Sequence, residues 1–188
     1  MANANSPHLV TANNSSLIVV DIQTRLAQAM SDRETLLRNC GILLTAAKIM
    51  SVPVAITEQY PKGLGHTEPS LAGLFPDNAT PVEKTCFSCC DAETFAASLS
   101  STGKQQIILC GIESHVCVLQ TAMDLQDRDY QVFVVADAVD SRSKDNKHIA
   151  LERMRQAGIV ITTTESVLFE WLRDAKSEHF KSVTALIR

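Results

Sequence analysis

The chain has 188 residues, of which 45% are hydrophobic and 20% charged, so it can bury a sizeable core and is neither a disordered tail nor a coiled coil. Lys and Arg number 17 against 21 Asp and Glu, a formal net charge of −4. This balance lacks the basic surface that phosphate binding needs, and no nucleic-acid partner is expected.

Residues 1–14 are mostly small or polar, with neither Lys nor Arg nor a long apolar stretch. They predict a flexible N-terminus and no signal peptide, ahead of one domain over residues 15–188. Residues 16–22, SLIVVDI, give the first strong strand. A helical pattern follows over 32–50, with Leu36, Leu37, Leu43, Leu44 and Ala47 on one face, and then a weaker strand over 52–57. Residues 59–83 break the pattern with several prolines and glycines and predict a long irregular loop, the kind of segment that usually carries function. A short strand at 82–87 and a helix from Asp91 through Leu99 come next. QIILCGI at 106–112 is the second strong strand, followed by a helix over 114–126. The third strong strand lies within 130–139, a helix over 147–157, a weak strand over 158–162 and a helix over 165–174. Phe180, Val183 and Ile187 suggest a closing amphipathic helix. No run approaches the roughly 20 apolar residues needed to span a bilayer, so no membrane partner is expected.

The strong strands are continuously apolar rather than alternating, the mark of strands covered on both faces. With helices between them, they predict an open three-layer α/β/α fold with a mostly parallel, Rossmann-like sheet. No G-x-G-x-x-G or G-x-x-x-x-G-K pattern is present, which removes most support for a dinucleotide or nucleoside triphosphate cofactor.

Ligands of open α/β sheets bind beyond the carboxyl ends of the strands. Three reactive side chains fall there. Asp21 closes LIVVD, where a carboxylate needs a partner if buried. Lys84 lies in the short run after the long loop. Cys117 follows QIILCGI, at the third position of a helix if Ser114 caps it, where the helix N-terminus favours a thiolate. Singly, such residues are more often a strand cap, a solvated lysine and a packing thiol. The other cysteines, Cys40, Cys86, Cys89, Cys90 and Cys110, sit in or beside apolar runs and are expected to be reduced packing thiols of a cytoplasmic protein.

LIVVDIQ at 17–23, VEKTCFS at 82–88 and ILCGIESHVCVLQTAMDL at 108–125 together resemble the isochorismatase-like family of cysteine hydrolases. The likeness extends to isochorismatase-domain-containing proteins through TEQYPKGLG at 57–65, ERMRQ at 152–156 and TTES at 163–166. The resemblance implies that Asp21 accepts the thiol proton, Lys84 orients the pair and balances charge, and Cys117 attacks an electrophilic carbonyl. It also implies a cis peptide between Ile112 and Glu113, with backbone N–H groups near Glu113 and Cys117 facing an oxyanion. Members that hydrolyse nicotinamide hold a metal through an Asp-x-His motif after the second strand. Here that stretch reads Thr57, Glu58, Gln59, Tyr60, and neither a metal nor another cofactor is expected.

Around the three central residues, Gln23, Tyr60, His66, Phe87, Ile112, Glu113 and His115 are the candidate substrate-binding residues. His115 offers a rival Cys–His dyad, but two positions along a helix from Cys117 it points elsewhere. The reading that results is a cysteine hydrolase for a small amide-like C–N substrate, proceeding through a thioester and working as a homo-oligomer. The alternatives are a catalytically silent binding or scaffold protein, and a thiol-based redox protein. The redox reading lacks a C-x-x-C at Cys117.

Overall fold

The structure, a computed structural model, describes residues 8–77 and 79–188. Its strands are β1 (Ser15–Val20), β2 (Val54–Gln59), β3 (Val82–Lys84), β4 (Gln106–Ile112), β5 (Gln131–Asp140) and β6 (Val160–Thr162). Between them lie α1 (Thr24–Ala27), α2 (Arg33–Ile49), α3 (Pro61–Leu64), α4 (Pro69–Ala72), α5 (Glu93–Ser101), α6 (Leu119–Asp127), α7 (Lys144–Gln156), α8 (Thr164–Leu172) and α9 (Phe180–Thr184).

All six strands pair in parallel, in the order β3-β2-β1-β4-β5-β6. The α/β expectation therefore holds, and the sheet is wholly rather than mostly parallel. Alternation along β1 divides the core. Leu17 and Val19 pack into one layer with Leu36, Leu43, Leu44, Val167, Leu168 and Trp171 from α2 and α8. Ile18 and Val20 enter the other, with Phe95, Leu99, Ala122, Leu125 and Met154 from α5, α6 and α7 and with Val118 just before α6. Both faces are apolar because both are covered.

The order also fixes where a site can form. From β1 the chain steps outward through β2 to β3, returns to place β4 on the other side of β1, and then steps outward again. The carboxyl ends of β1 and β4 are thus the switch point at which the connections diverge and leave a crevice. Gly111 lets β4 come close to β1 there. Its φ is +119°, and a Cβ would stand 2.1 Å from the Val20 carbonyl oxygen, so only glycine fits.

Several boundaries differ from the sequence reading. β2 starts and ends two residues later than expected, after Pro53. The 59–83 excursion is not wholly irregular, because α3 and α4 form within it and Thr67 bridges Gln23. The closing helix shortens to α9 and a following 3-10 turn; Val183 is buried, while Phe180 and Ile187 pack partly against the α2–α8 layer. Of the expected flexible terminus, residues 1–7 lie outside the described residues. The part beyond them is anchored: Val10 is fully buried and its N–H donates to Glu170 Oε2 at 2.8 Å, and the Thr11 N–H donates to Gln106 Oε1 at 2.8 Å. No helix among the described residues is long and apolar enough to cross a membrane.

Candidate active site

Asp21 follows β1 with φ +51°, the left-handed region that a non-glycine residue rarely adopts and that clusters at functional sites. Its side chain is inaccessible to solvent, as is that of Lys84 at the end of β3, and the two meet with Nζ 2.7 Å from Oδ2. Burial alone would push the Lys84 ammonium down, but the groups around it, Asp21 foremost, together hold Lys84 above its usual value. The ammonium also donates to Gln59 Oε1 at 2.9 Å and to the carbonyls of Cys86 and Phe87 at 3.2 Å each. Four acceptors around three protons leave Lys84 nothing to offer a ligand, so its contribution is charge and position.

The third side chain arrives from the other half of the sheet. After β4 the Ile112–Glu113 peptide is cis, and residues Ser114–Val118 wind as one wide π turn before α6 begins. The expected Ser114 cap does not form. The Ser114 hydroxyl donates instead to the Asp140 carbonyl at 2.9 Å, tying the turn to the end of β5. Cys117 is buried and lies close enough to Asp21 and Lys84 for both charges to act on its thiol. Burial and the Asp21 charge both push its thiol above the ordinary range, and Lys84 opposes them only in part. The resting sulfur is therefore a thiol beside a carboxylate, which suits proton removal during attack rather than a standing thiolate.

The other candidates divide. Tyr60 and Phe87 stand half-exposed, at 54% and 53%, next to the turns that hold Lys84, where they present apolar faces to solvent. Gln23 is corrected: it is fully buried and its amide is satisfied by backbone, Nε2 donating to Gln59 O at 3.0 Å and Gly65 O at 2.5 Å while Oε1 accepts from Gln59 N at 2.7 Å. It fastens the 60–66 segment to the sheet and has no group left for substrate. The Glu113 carboxylate is likewise engaged, accepting from the backbone N–H and Nε of Arg142 at 3.0 and 3.1 Å. His115 turns toward β5 and α7, with Nδ1 2.9 Å from Ser141 Oγ and Nε2 3.4 Å from Asn146 Nδ2. Both ring nitrogens have partners there, and the dyad with Cys117 has no free nitrogen. Ile112 is wholly buried in the α2–α8 layer, so its side chain packs rather than lining the crevice.

His66 is exposed, but its Nδ1 lies 2.9 Å from Glu58 Oε2, and Glu58 Oε1 accepts from the N–H and hydroxyl of Thr67. These two residues hold the loop together. Among the described residues no three His, Cys, Asp or Glu side chains converge as a metal-ligand set.

Sequence reasoning missed four residues that complete the cluster. Thr57, at the end of β2, donates its hydroxyl to Asp21 Oδ1 at 2.7 Å. Gln59 holds Lys84, as above. Cys89 lies 3.7 Å from Thr57 Oγ1, with its backbone N–H on Thr121 Oγ1 at 2.9 Å. The available signal was polar residues closing an apolar strand adjacent to β1. An open groove of about 590 Å³ runs outside β3, between Tyr60–Lys62, Glu83–Cys86 and Asp91–Thr94. A larger one, about 720 Å³, lies at the opposite end of β2 around Val54, Ile56 and Phe95, away from Asp21 and Cys117.

The isochorismatase domain family matches residues 15–166. Isochorismatase domain-containing protein 2 of Danio rerio is 40% identical over 179 residues, which covers 95% of this chain and 89% of that protein. Among solved structures, a Caenorhabditis elegans protein described as MAR1 ribonuclease is 40% identical, with a TM-score of 0.91 over 95% of this chain and 92% of that one. The ycaC gene product of Escherichia coli, described as an octameric hydrolase of unknown specificity, is 28% identical, with a TM-score of 0.90 over 95% and 89% of the two chains. A match of this extent, over a parallel sheet with its crevice between β1 and β4, makes the chain a member of the isochorismatase family with that family's hydrolase fold.

Proposed function

We propose that the protein is a cysteine hydrolase acting on a small amide-like C–N substrate through a thioester. The observation that carries this reading is the buried Asp21–Lys84 ion pair beside the buried Cys117 thiol at the switch point of the sheet. Asp21 takes the thiol proton as Cys117 Sγ attacks the carbonyl carbon, giving a tetrahedral oxyanion. Lys84 keeps the pocket's charge balanced during the transfer. As the oxyanion collapses the C–N bond breaks, and Asp21 returns the proton to the departing amine or ammonia. Water then loses a proton to Asp21 and attacks the thioester, and the C–S bond breaks to release the acid and restore the thiol.

The exposed Tyr60 and Phe87 form the apolar lip of the entrance, and a second subunit covers them in a homo-oligomer, consistent with the octameric E. coli relative. The free cysteines, five of the six buried, suit a cytoplasmic setting.

The test is an ammonia-release screen of small amides, with Cys117→Ala as control and light scattering to give the oligomeric mass. Turnover that disappears in Cys117→Ala is expected; turnover that survives it refutes the nucleophile. RNA serves as the comparison substrate, because the C. elegans relative is described as a ribonuclease. Cys117-dependent RNA cleavage without amide turnover would replace the carbonyl substrate with a phosphodiester.

A further inference from the structure

We propose that Thr57 is a positioning residue for the Asp21 carboxylate, held in that role by the thiol of Cys89. The inference rests on the cysteine-hydrolase reading and adds to it a residue outside the Asp, Lys and Cys set. β2 runs beside β1 in a register that pairs Thr57 with Val20, one residue before Asp21. The Asp21 N–H donates to the Thr57 carbonyl at 3.2 Å while the Thr57 hydroxyl donates to Asp21 Oδ1 at 2.7 Å, so backbone and side chain lock the same two residues together. Thr57 is fully buried, and water cannot substitute for its hydroxyl.

A hydroxyl carries one proton, and Thr57 gives it to Asp21. At the 3.7 Å contact with Cys89 the S–H is therefore the donor and Thr57 Oγ1 the acceptor. Cys89 is itself fixed, because its backbone N–H is held by Thr121 in α6, about one helical turn beyond Cys117. The result is a directed chain from S–H to O–H to carboxylate, in which each bond polarises the next. It enters Asp21 on the oxygen that Lys84 does not use. With Thr57 on Oδ1 and Lys84 on Oδ2, the carboxylate cannot turn without breaking a strong bond, and Cys117 meets a base of fixed orientation. The ionisable groups facing Asp21 are Lys84 from β3, Cys89 from the 3-10 turn Cys89–Asp91, and Cys117 from the π turn.

Thr57→Val keeps the shape and removes the donor. A buried carboxylate that loses a donor holds its charge less readily, so the pH above which Asp21 accepts the Cys117 proton rises. The readout is the rate of iodoacetamide alkylation of Cys117 as a function of pH, followed on its own peptide by mass spectrometry and independent of any substrate. The wild type is expected to show an acid limb that Asp21→Asn abolishes. Thr57→Val is expected to move that limb upward by about one pH unit, about tenfold in rate at a pH on the limb, and Thr57→Ser to return it to the wild-type position. Cys89→Ala, which leaves the Thr57 hydroxyl in place but unoriented, is expected to move it the same way by less, and it carries the test if Thr57→Val does not fold. A limb lost in Asp21→Asn but unmoved in Thr57→Val, or unmoved in Cys89→Ala where that variant carries the test, overturns the role of Thr57 and leaves the hydrolase reading intact. A limb that survives Asp21→Asn overturns both.

Discussion

Replacing Lys84 with Met removes the cation from an ion pair in which both side chains are wholly inaccessible to solvent. At 2.7 Å, with an effective dielectric of about 20, the attraction lost is about 6 kcal/mol. The desolvation of each ion, several kcal/mol, offsets much of that in the intact pair, so the pair itself adds little net stability. Breaking it is another matter. Asp21 is left charged and buried with Thr57 as its remaining donor among the hydrogen bonds described, and Gln59 Oε1 and the carbonyls of Cys86 and Phe87 lose theirs. Lys84→Met should therefore cost ~3–5 kcal/mol. The assay is urea unfolding, read as a lower midpoint at unchanged slope. Asp21→Asn combined with Lys84→Met removes both charges and should recover ~1–3 kcal/mol relative to Lys84→Met alone. A loss under ~1 kcal/mol in the single variant, or a double variant whose cost equals the two single costs added, would refute the claim of a tightly coupled buried pair.

Three further outcomes follow from the surroundings of the site. Gln23→Ala should destabilise by ~2–3 kcal/mol and open the 60–66 segment to proteolysis, since it strands the Gln59 N–H and the carbonyls it now satisfies; unchanged cleavage there would count against the clamp. For Glu58, burial pushes the carboxyl up, but the bonds from Thr67 and the His66 ring outweigh it and hold it below its usual value of 4.5, while the Glu58 hydrogen bond and charge hold His66 above 6.5. A lowered acid contributes stability above its unfolded value and loses it as pH falls through the folded one; a raised His contributes below its unfolded value and loses it as pH rises through the folded one. Exchange protection of the Thr67 amide should thus be greatest between 4.5 and 6.5, fall toward acid and relax partly toward alkali, and a pH-independent protection would contradict the latch. Burial pushes the Cys89 thiol up to about 12 and that of Cys90 to about 11, and holds Cys40 well above the ordinary range. Titration of the native protein with a thiol reagent at mildly alkaline pH should modify the part-exposed Cys86 long before these three, and simultaneous modification would show that the cores around them open easily.

The amino-acid sequence alone determined the fold class, because continuous apolar runs separated by helical periodicity admit few arrangements other than a covered parallel sheet. It also marked Asp21, Lys84 and Cys117, whose polar or reactive side chains interrupt or follow those runs. It could not bring them together. Asp21 and Cys117 are neighbours because β4 returns to lie beside β1, and Gly111 lets the strands close at that point; both are matters of strand order and register, which a local pattern does not encode. The same reason explains Gln23 and His115. In the sequence each is a polar residue near a reactive one. In the fold Gln23 is consumed by the backbone of Gln59 and Gly65, and His115 by Ser141 and Asn146. Conversely, Thr57 and Cys89 read as ordinary strand and packing residues until the sheet sets them against Asp21. Which polar groups remain free for chemistry depends on partners distant along the chain, and only the tertiary structure supplies those partners.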